Sequence, residues 1–350
     1  MTIAAFVAGL VLLIVGAEGL VRGASRLAER LGITPLIIGL TVVAFGTSSP
    51  ELAVSLKAAS DGQAGIALGN VVGSNIFNVL FILGVSALIV PLAVAQQLVR
   101  IDIPLMIGLS VAMLLLALDG VMGRFDGGLL LAGLAAYLAF LFYQNARAQP
   151  EDSSESPASG QTHWAFSLAL VVGGLALLVL GSRWFVEGAV AFAAFLGVSE
   201  QVIGLTIIAA GTSLPEVVTS IIAALRGERD IAVGNVIGSN VFNILGVLGL
   251  TGLLSASAIA VPPALVGFDI PVMIAVALAC LPIGFTGGVI SRWEGGALLA
   301  YYLAYTLYLI LAAAQHDALP GFGATMLYFV LPITALTLAV LTLQERRRLR

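Results

Sequence analysis

The chain has 350 residues, of which 60% are hydrophobic and 10% charged, and its mean hydropathy is +1.09. Because a soluble domain carries about 25% charged residues, this composition excludes a soluble globular protein and indicates an integral membrane protein. A formal net charge of −4 does not favour a nucleic-acid partner, and a single cysteine, Cys280, excludes a disulfide framework.

Eleven apolar runs are long enough to cross a bilayer, which takes about 20 residues each. The first five are predicted near 3–23, 33–59, 65–90, 101–118 and 125–144. The next five are predicted near 165–190, 199–224, 231–256, 268–288 and 293–313. An eleventh, over 321–343, contains no charged residue. The predicted fold class is therefore an all-α polytopic membrane protein.

The distribution of Lys and Arg predicts the orientation of these spans. If the N-terminus is outside, only Lys57, Arg124 and Arg183 of the 15 basic residues remain outside. The positive-inside rule therefore favours an outside N-terminus and a cytoplasmic C-terminus, in a multi-pass protein of the cell (inner) membrane. No basic segment or cleavage site precedes the first run, so we expect it to be a retained helix.

A long internal repeat organises the chain. Residues 39–80 match residues 204–245 at a constant offset of 165, with 24 of 42 positions identical. Weaker matches extend the repeat to two five-helix units, 1–145 and 164–314. Because five is an odd number, the second unit must insert upside down, and such inverted repeats are a transporter architecture. The remaining segments are an acidic cytoplasmic linker, 146–163, and an extra helix with a basic tail, 315–350.

The identical positions include polar residues within apolar segments, where they are costly and usually functional. The candidate ligands are Thr47, Ser48, Glu51, Ser74 and Asn78 in the first repeat and Thr212, Ser213, Glu216, Ser239 and Asn243 in the second. In the segment GTSSPE, Pro50 removes a backbone donor and Gly46 loosens the helix, so we expect a break there. Carbonyl groups freed at membrane depth need another partner, which a cation can provide.

These candidates offer only oxygen atoms, from carboxylates, amides, hydroxyls and carbonyls. Calcium and sodium are hard cations that take such ligands, whereas zinc or copper would recruit Cys or His. The hydroxyls and glycines alone fit ordinary helix packing equally well. Two membrane glutamates in matched contexts, Glu51 and Glu216, favour an ion site.

The paired motifs GTSSPE with GNVVGSNIFN, and GTSLPE with GNVIGSNVFN, resemble the α-repeats of the sodium/calcium exchanger branch of the cation/calcium antiporters. The resemblance covers ten of the eleven predicted spans. It implies a ten-helix core that binds sodium and calcium alternately at the Thr, Ser, Glu and Asn positions named above. It also implies that the first and sixth helices slide across the core.

One position departs from the family pattern, because Asn243 stands where the family frequently has an Asp associated with potassium dependence. The formal charge of the site is thus −2, from Glu51 and Glu216. One calcium or two sodium ions would neutralise it, and three sodium ions would leave +1. The hypothesis is an exchanger that needs no potassium and whose sodium stoichiometry is open.

Several alternatives remain open at this point. A calcium/proton exchanger is the second transporter interpretation, since two carboxylates in a low dielectric can take up protons. A cation channel belongs to another class and is disfavoured by inverted repeats. An intramembrane hydrolase is least favoured, so no enzyme activity and no cofactor beyond the transported ions are expected. Membrane lipid is the other expected partner, and monomer and homodimer are both left open.

Two further acidic residues, Asp102 and Asp269, each precede Ile-Pro at the start of a span. That position favours a helix N-cap over an ion ligand.

Overall fold

The computed structural model describes residues 2–148, 164–196, 207, 209–255, 257–285 and 287–348. The first half consists of α1 (Thr2–Leu31), α2 (Pro35–Thr47), α3 (Ser49–Ser60), α4 (Gly65–Ile89), β1 (Leu92–Ala93), α5 (Leu98–Ala117), β2 (Val121–Met122) and α6 (Arg124–Ala148). The second half consists of α7 (Trp164–Phe195), α8 (Ala209–Gly211), α9 (Leu214–Leu225), α10 (Arg229–Leu254), β3 (Ile259–Ala260), α11 (Leu265–Gly284), β4 (Val289–Ile290), α12 (Arg292–Ala313) and α13 (Leu319–Leu341).

The predicted all-α membrane fold is confirmed. Among the described residues, nine helices are long and apolar enough to span a bilayer, and the bent pair α2–α3 makes a tenth. The span predicted over 199–224 is present from α8 onward, and its earlier part lies largely outside the described residues. Most of the predicted linker, 146–163, also lies outside them.

The long helices α1 and α7 occupy equivalent places in the two repeats and pack antiparallel. Glycines seven residues apart line the contact in opposite order, Gly9 beside Gly181, Gly16 beside Gly174 and Gly23 beside Ser167. Small residues allow membrane helices to approach closely, and a Cβ at Gly16 would lie 2.8 Å from the Gly174 carbonyl oxygen. Because equivalent helices run in opposite directions, the repeats are inverted as expected.

Two short strand pairs join the repeats with the same inverted symmetry. In one pair, Leu92 of β1 lies opposite Ile290 of β4. In the other, Ile259 of β3 lies opposite Met122 of β2. Leu92 and Ile259 are equivalent positions of the two repeats. Each pair therefore contains one strand from the first repeat and one from the second. This exchange is what a twofold axis lying in the membrane plane produces.

The expected break in GTSSPE is present. Helices α2 and α3 meet at Ser48 with a bend of 42°, and the backbone there leaves helical geometry with φ −80° and ψ 5°. The second repeat has the same break at Ser213, with φ −88° and ψ 8°. In both cases a proline occupies the first turn of the following helix, where its missing N–H costs nothing. Each break carries a serine, with a glutamate three residues later in the sequence.

Helices α4 and α10 form the centre of the molecule. The most apolar stretch of α10 is entirely buried, although α10 passes the length and hydropathy criteria for a membrane span. Each helix widens into a π-helical segment, Asn78–Leu83 in α4 and Asn243–Leu248 in α10. Such wide turns occur often at functional sites, and here each begins at a candidate ligand. The extra helix α13 lies at the periphery, where Thr334 contacts Tyr301 of α12.

The N-cap interpretation of Asp102 is wrong. Its side chain makes no hydrogen bond to the backbone of the following turn. It accepts instead from the Tyr137 hydroxyl at 3.0 Å, and Asp269 likewise accepts from the Tyr305 hydroxyl at 2.7 Å. A phenol from another helix therefore takes the place of the expected backbone donors.

The α1–α7 contact can be tested by substituting adjacent glycines of α7. In Gly174→Ala the new methyl group would lie 2.6 Å from the Gly16 carbonyl oxygen, whereas a Cβ at Gly173 meets no atom within 4 Å. We expect Gly174→Ala to lower the apparent melting temperature of the detergent-purified protein, since overpacking costs about 1–3 kcal/mol. Gly173→Ala is the matched control and should leave the melting temperature unchanged or raise it. Equal effects of both substitutions would contradict this packing.

Candidate functional site

The ten candidate ligands lie on four elements, two from each repeat. The α2–α3 break carries Thr47, Ser48 and Glu51, and α4 carries Ser74 and Asn78. The α8–α9 break carries Thr212, Ser213 and Glu216, and α10 carries Ser239 and Asn243.

Nearly all of these polar side chains are withdrawn from the surface. Nine of the ten are buried, and Thr212 is partly buried. Both glutamates are 0% exposed. An isolated buried carboxylate is very costly, so such groups are paired, hydrogen-bonded or bound to a cation. The contacts of Glu51 and Glu216 therefore decide what this cluster can do.

Each glutamate is held by a serine of the other repeat. The Ser213 hydroxyl donates to Glu51 Oε1 at 2.8 Å, and the Ser48 hydroxyl donates to Glu216 Oε1 at 3.0 Å. Ser213 also lies 3.3 Å from the Ser74 hydroxyl, so Ser74 of α4 belongs to the same cluster. Because each serine stands at a helix break and each glutamate one turn after it, the two breaks face each other across the twofold axis.

The second oxygen of each glutamate has no hydrogen-bond partner. Among the described residues, thirteen buried side-chain atoms lack a partner, and six of them belong to the predicted ligands: Glu51 Oε2, Glu216 Oε2, Asn78 Oδ1, Asn243 Oδ1, Thr212 Oγ1 and Ser239 Oγ. Unpartnered buried polar atoms are rare, and each one requires a physical explanation. The six atoms of the predicted ligands are all oxygens of the kind that hard cations take. The other seven atoms, among them Asp102 Oδ2, belong to residues outside that set.

The hydroxyl of the remaining candidate, Thr47, has hydrogen-bond partners within the protein. Its hydroxyl oxygen lies 3.1 Å from the Val43 carbonyl oxygen and 3.0 Å from Asn235 Oδ1, and its single O–H can donate to either acceptor. The carbonyl of Gly46, also near the break, accepts from the Ser49 hydroxyl at 2.7 Å. Side-chain hydroxyls thus satisfy two of the carbonyl groups that were expected to need a cation.

Four asparagines of the cluster were not among the predicted residues. Asn70 and Asn235 each donate to the serine one turn beyond the glutamate of their own repeat, Ser55 and Ser220, at 3.0 Å. Asn75 and Asn240 connect α4 to α10 across the axis. All four are identical between the repeats in the segment GN-V-x-GSN, and that identity is the signal that could have identified them.

Comparison with known proteins now identifies the family. The family model described as sodium/calcium exchanger protein matches residues 1–143 and 166–311, which include both halves of the site. The chain belongs to the sodium/calcium exchanger family. CaxA of Alkalimonas amylolytica is 43% identical over 306 residues, which cover 85% of this chain and 95% of that protein.

A relative with a more explicit name is the sodium/calcium exchanger MaX1 of Methanosarcina acetivorans. It is 37% identical over 341 residues, covering 86% of this chain and 96% of MaX1. The solved structure of the sodium-calcium exchanger NCX_Mj superposes with a TM-score of 0.74 at 31% identity, over 88% of this chain and 98% of NCX_Mj. This sodium/calcium exchanger family member is therefore a multi-span membrane antiporter of the cation/calcium class.

Proposed function

We propose that this exchanger carries sodium and calcium in opposite directions by alternating access, and that the ten candidate residues bind both ions. The observation that carries the proposal is the set of six unpartnered buried oxygens, two of them carboxylate oxygens, at the junction of the inverted repeats. A bound cation is the kind of partner that such oxygens lack. The names of MaX1 and NCX_Mj support sodium and calcium as the ions.

The charge of the site supports coupling by competition. Glu51 and Glu216 contribute two negative charges, whereas Asn78 and Asn243 are neutral. An empty site would move two buried charges through a low dielectric, which is costly. A site loaded with one calcium or two sodium ions would be neutral. Only the loaded states then reorient readily, which is the condition for exchange rather than leak.

Alternating access requires that the two ends of the site close in turn. At one end, polar contacts join α1 to the second repeat and can hold that end closed. Glu18 of α1 accepts from Arg226 Nε at 3.0 Å, and the Ser25 hydroxyl donates to Glu228 at 2.7 Å. These contacts hold α1 against the turn between α9 and α10.

The equivalent residues at the other end have exchanged charges. Arg183 takes the place of Glu18, and Asp61 takes the place of Arg226. No ion pair joins them in the described part of the chain, where Asp61 pairs with Lys57 at 2.8 Å. We propose that Arg183 and Asp61 pair when the exchanger opens at the Glu18 end. A cysteine cross-link between positions 183 and 61 should then form only in the state that is open at the Glu18 end. Formation of the cross-link in both states of the exchanger would contradict the proposed pairing of Arg183 with Asp61.

The basic residues support an outside N-terminus and a cytoplasmic C-terminus in the cell membrane. In a Cys280→Ala background, a cysteine at position 2 should react with an impermeant maleimide added to intact cells. A cysteine at position 349 should react only after the cells are opened. The reverse pattern would contradict the orientation.

The ion coupling is tested by calcium-45 uptake into proteoliposomes with one gradient imposed at a time. We expect an outward sodium gradient to drive uptake, and we expect no loss of uptake when potassium is removed. Uptake driven by a pH gradient without sodium would establish the calcium/proton alternative. Uptake that stops without potassium would contradict the role given to Asn243.

The ligand role of the carboxylates is tested by Glu51→Gln. Removing one of two charges from a buried ion site costs about 3 kcal/mol or more, which is about a hundredfold in calcium affinity. Exchange should therefore be abolished at calcium concentrations that saturate the wild type. Asp102→Asn is the matched control, because Asp102 is equally buried but is bonded to Tyr137, outside the cluster. Full calcium uptake by Glu51→Gln would refute the site.

A further inference from the structure

Asn75 and Asn240 lie side by side at the twofold axis, each three residues before a candidate ligand of its own helix. Both are 2% exposed, and neither has an unpartnered side-chain atom. Their role in the cluster follows from the direction in which each amide group points.

Two backbone carbonyls determine that direction. Asn75 Nδ2 donates to the Asn240 carbonyl at 3.2 Å, and Asn240 Nδ2 donates to the Asn75 carbonyl at 3.4 Å. A carbonyl oxygen can only accept a hydrogen bond. The nitrogen end of each side chain must therefore face the opposite backbone, and the oxygen end must face the other way.

The oxygen ends then orient the two ligand asparagines. Asn240 Oδ1 accepts from Asn78 Nδ2 at 3.0 Å, and Asn75 Oδ1 accepts from Asn243 Nδ2 at 3.1 Å. With their nitrogen ends engaged, Asn78 and Asn243 leave Oδ1 without a partner. Reversing either amide would set two acceptors against each other and would turn N–H groups toward a bound cation.

We propose that Asn75 and Asn240 are positioning residues that make Asn78 and Asn243 present oxygen, rather than nitrogen, to the transported cation. This inference rests on the proposed cation site. The backbone carbonyls determine the orientation of the Asn75 and Asn240 amides. These amides in turn determine the orientation of Asn243 and Asn78, respectively. Each repeat thus orients a ligand of the other.

The same geometry distinguishes an amide from a carboxylate at position 243. The two ends of an amide differ, so an orienting partner is required. A carboxylate has oxygen at both ends and needs none. An Asp at 243 would also place an oxygen where Asn243 Nδ2 now meets Asn75 Oδ1, at 3.1 Å. Asn75 is therefore matched to the neutral residue that this chain carries.

The test is a double-substitution cycle read by calorimetric titration of calcium into the purified full-length protein in sodium-free buffer. With Asn243 present, Asn75→Ala should raise the calcium Kd by about tenfold, in the range expected when a group that orients a metal ligand is lost. With Asn243→Asp present, Asn75→Ala should raise the Kd by less than about twofold, because a carboxylate needs no orientation and loses only the Asn75 oxygen that opposes it.

An equal change in both backgrounds would assign Asn75 a merely structural role and overturn the inference, as would no change in either. If Asn75→Ala does not purify as a folded protein, Asn75→Ser takes its place, since its hydroxyl is too short to reach Asn243. The mirrored cycle of Asn240→Ala with Asn78→Asp should give the same pattern. Wild-type protein that binds no calcium would instead contradict the proposed function itself.

Discussion

The structure depends on one constraint, which is that carboxylates buried at membrane depth must find partners. Neither repeat satisfies its own glutamate. Ser213 holds Glu51 and Ser48 holds Glu216, so each half of the chain completes the other. Hydrogen bonds to charged groups contribute about 1.5–3 kcal/mol each, and leaving either partner unpaired would cost as much or more. The two repeats are thus held in register at their helix breaks.

The inverted symmetry follows from this arrangement and explains the rest of the fold. The two helix breaks face each other across a twofold axis that lies in the membrane plane, because the repeats run in opposite directions, as α1 and α7 do. The two strand pairs show the same symmetry, because each pair contains one strand from either repeat. A site built in this way has two equivalent ends, and only small differences, such as the ion pair of Glu18 with Arg226, distinguish them. That near-equivalence is the structural requirement of alternating access.

Much of this was predictable because its causes are local in sequence. Pro50 and Gly46 predicted the break at Ser48, and a repeat of five spans, an odd number, predicted the inverted core. The interactions that could not be predicted join residues far apart in the chain. Asp102 finds a phenol 35 residues away rather than the backbone beside it, which no local pattern reveals. The contact of Asn75 was equally unpredictable, because its partner is the carbonyl of Asn240 in the other repeat. Hydropathy places both residues in a span but does not specify what each contacts.

The central claim is that Glu51 and Glu216 coordinate the same cation. The most direct measurement is an experimental structure of the protein with strontium, located by its anomalous scattering. The account predicts a strong peak at coordination distance from oxygens of both glutamates, which for calcium is about 2.3–2.6 Å and for the larger strontium ion slightly more. A peak bound by one repeat alone, or by residues outside the ten candidates such as Asp102, would contradict it.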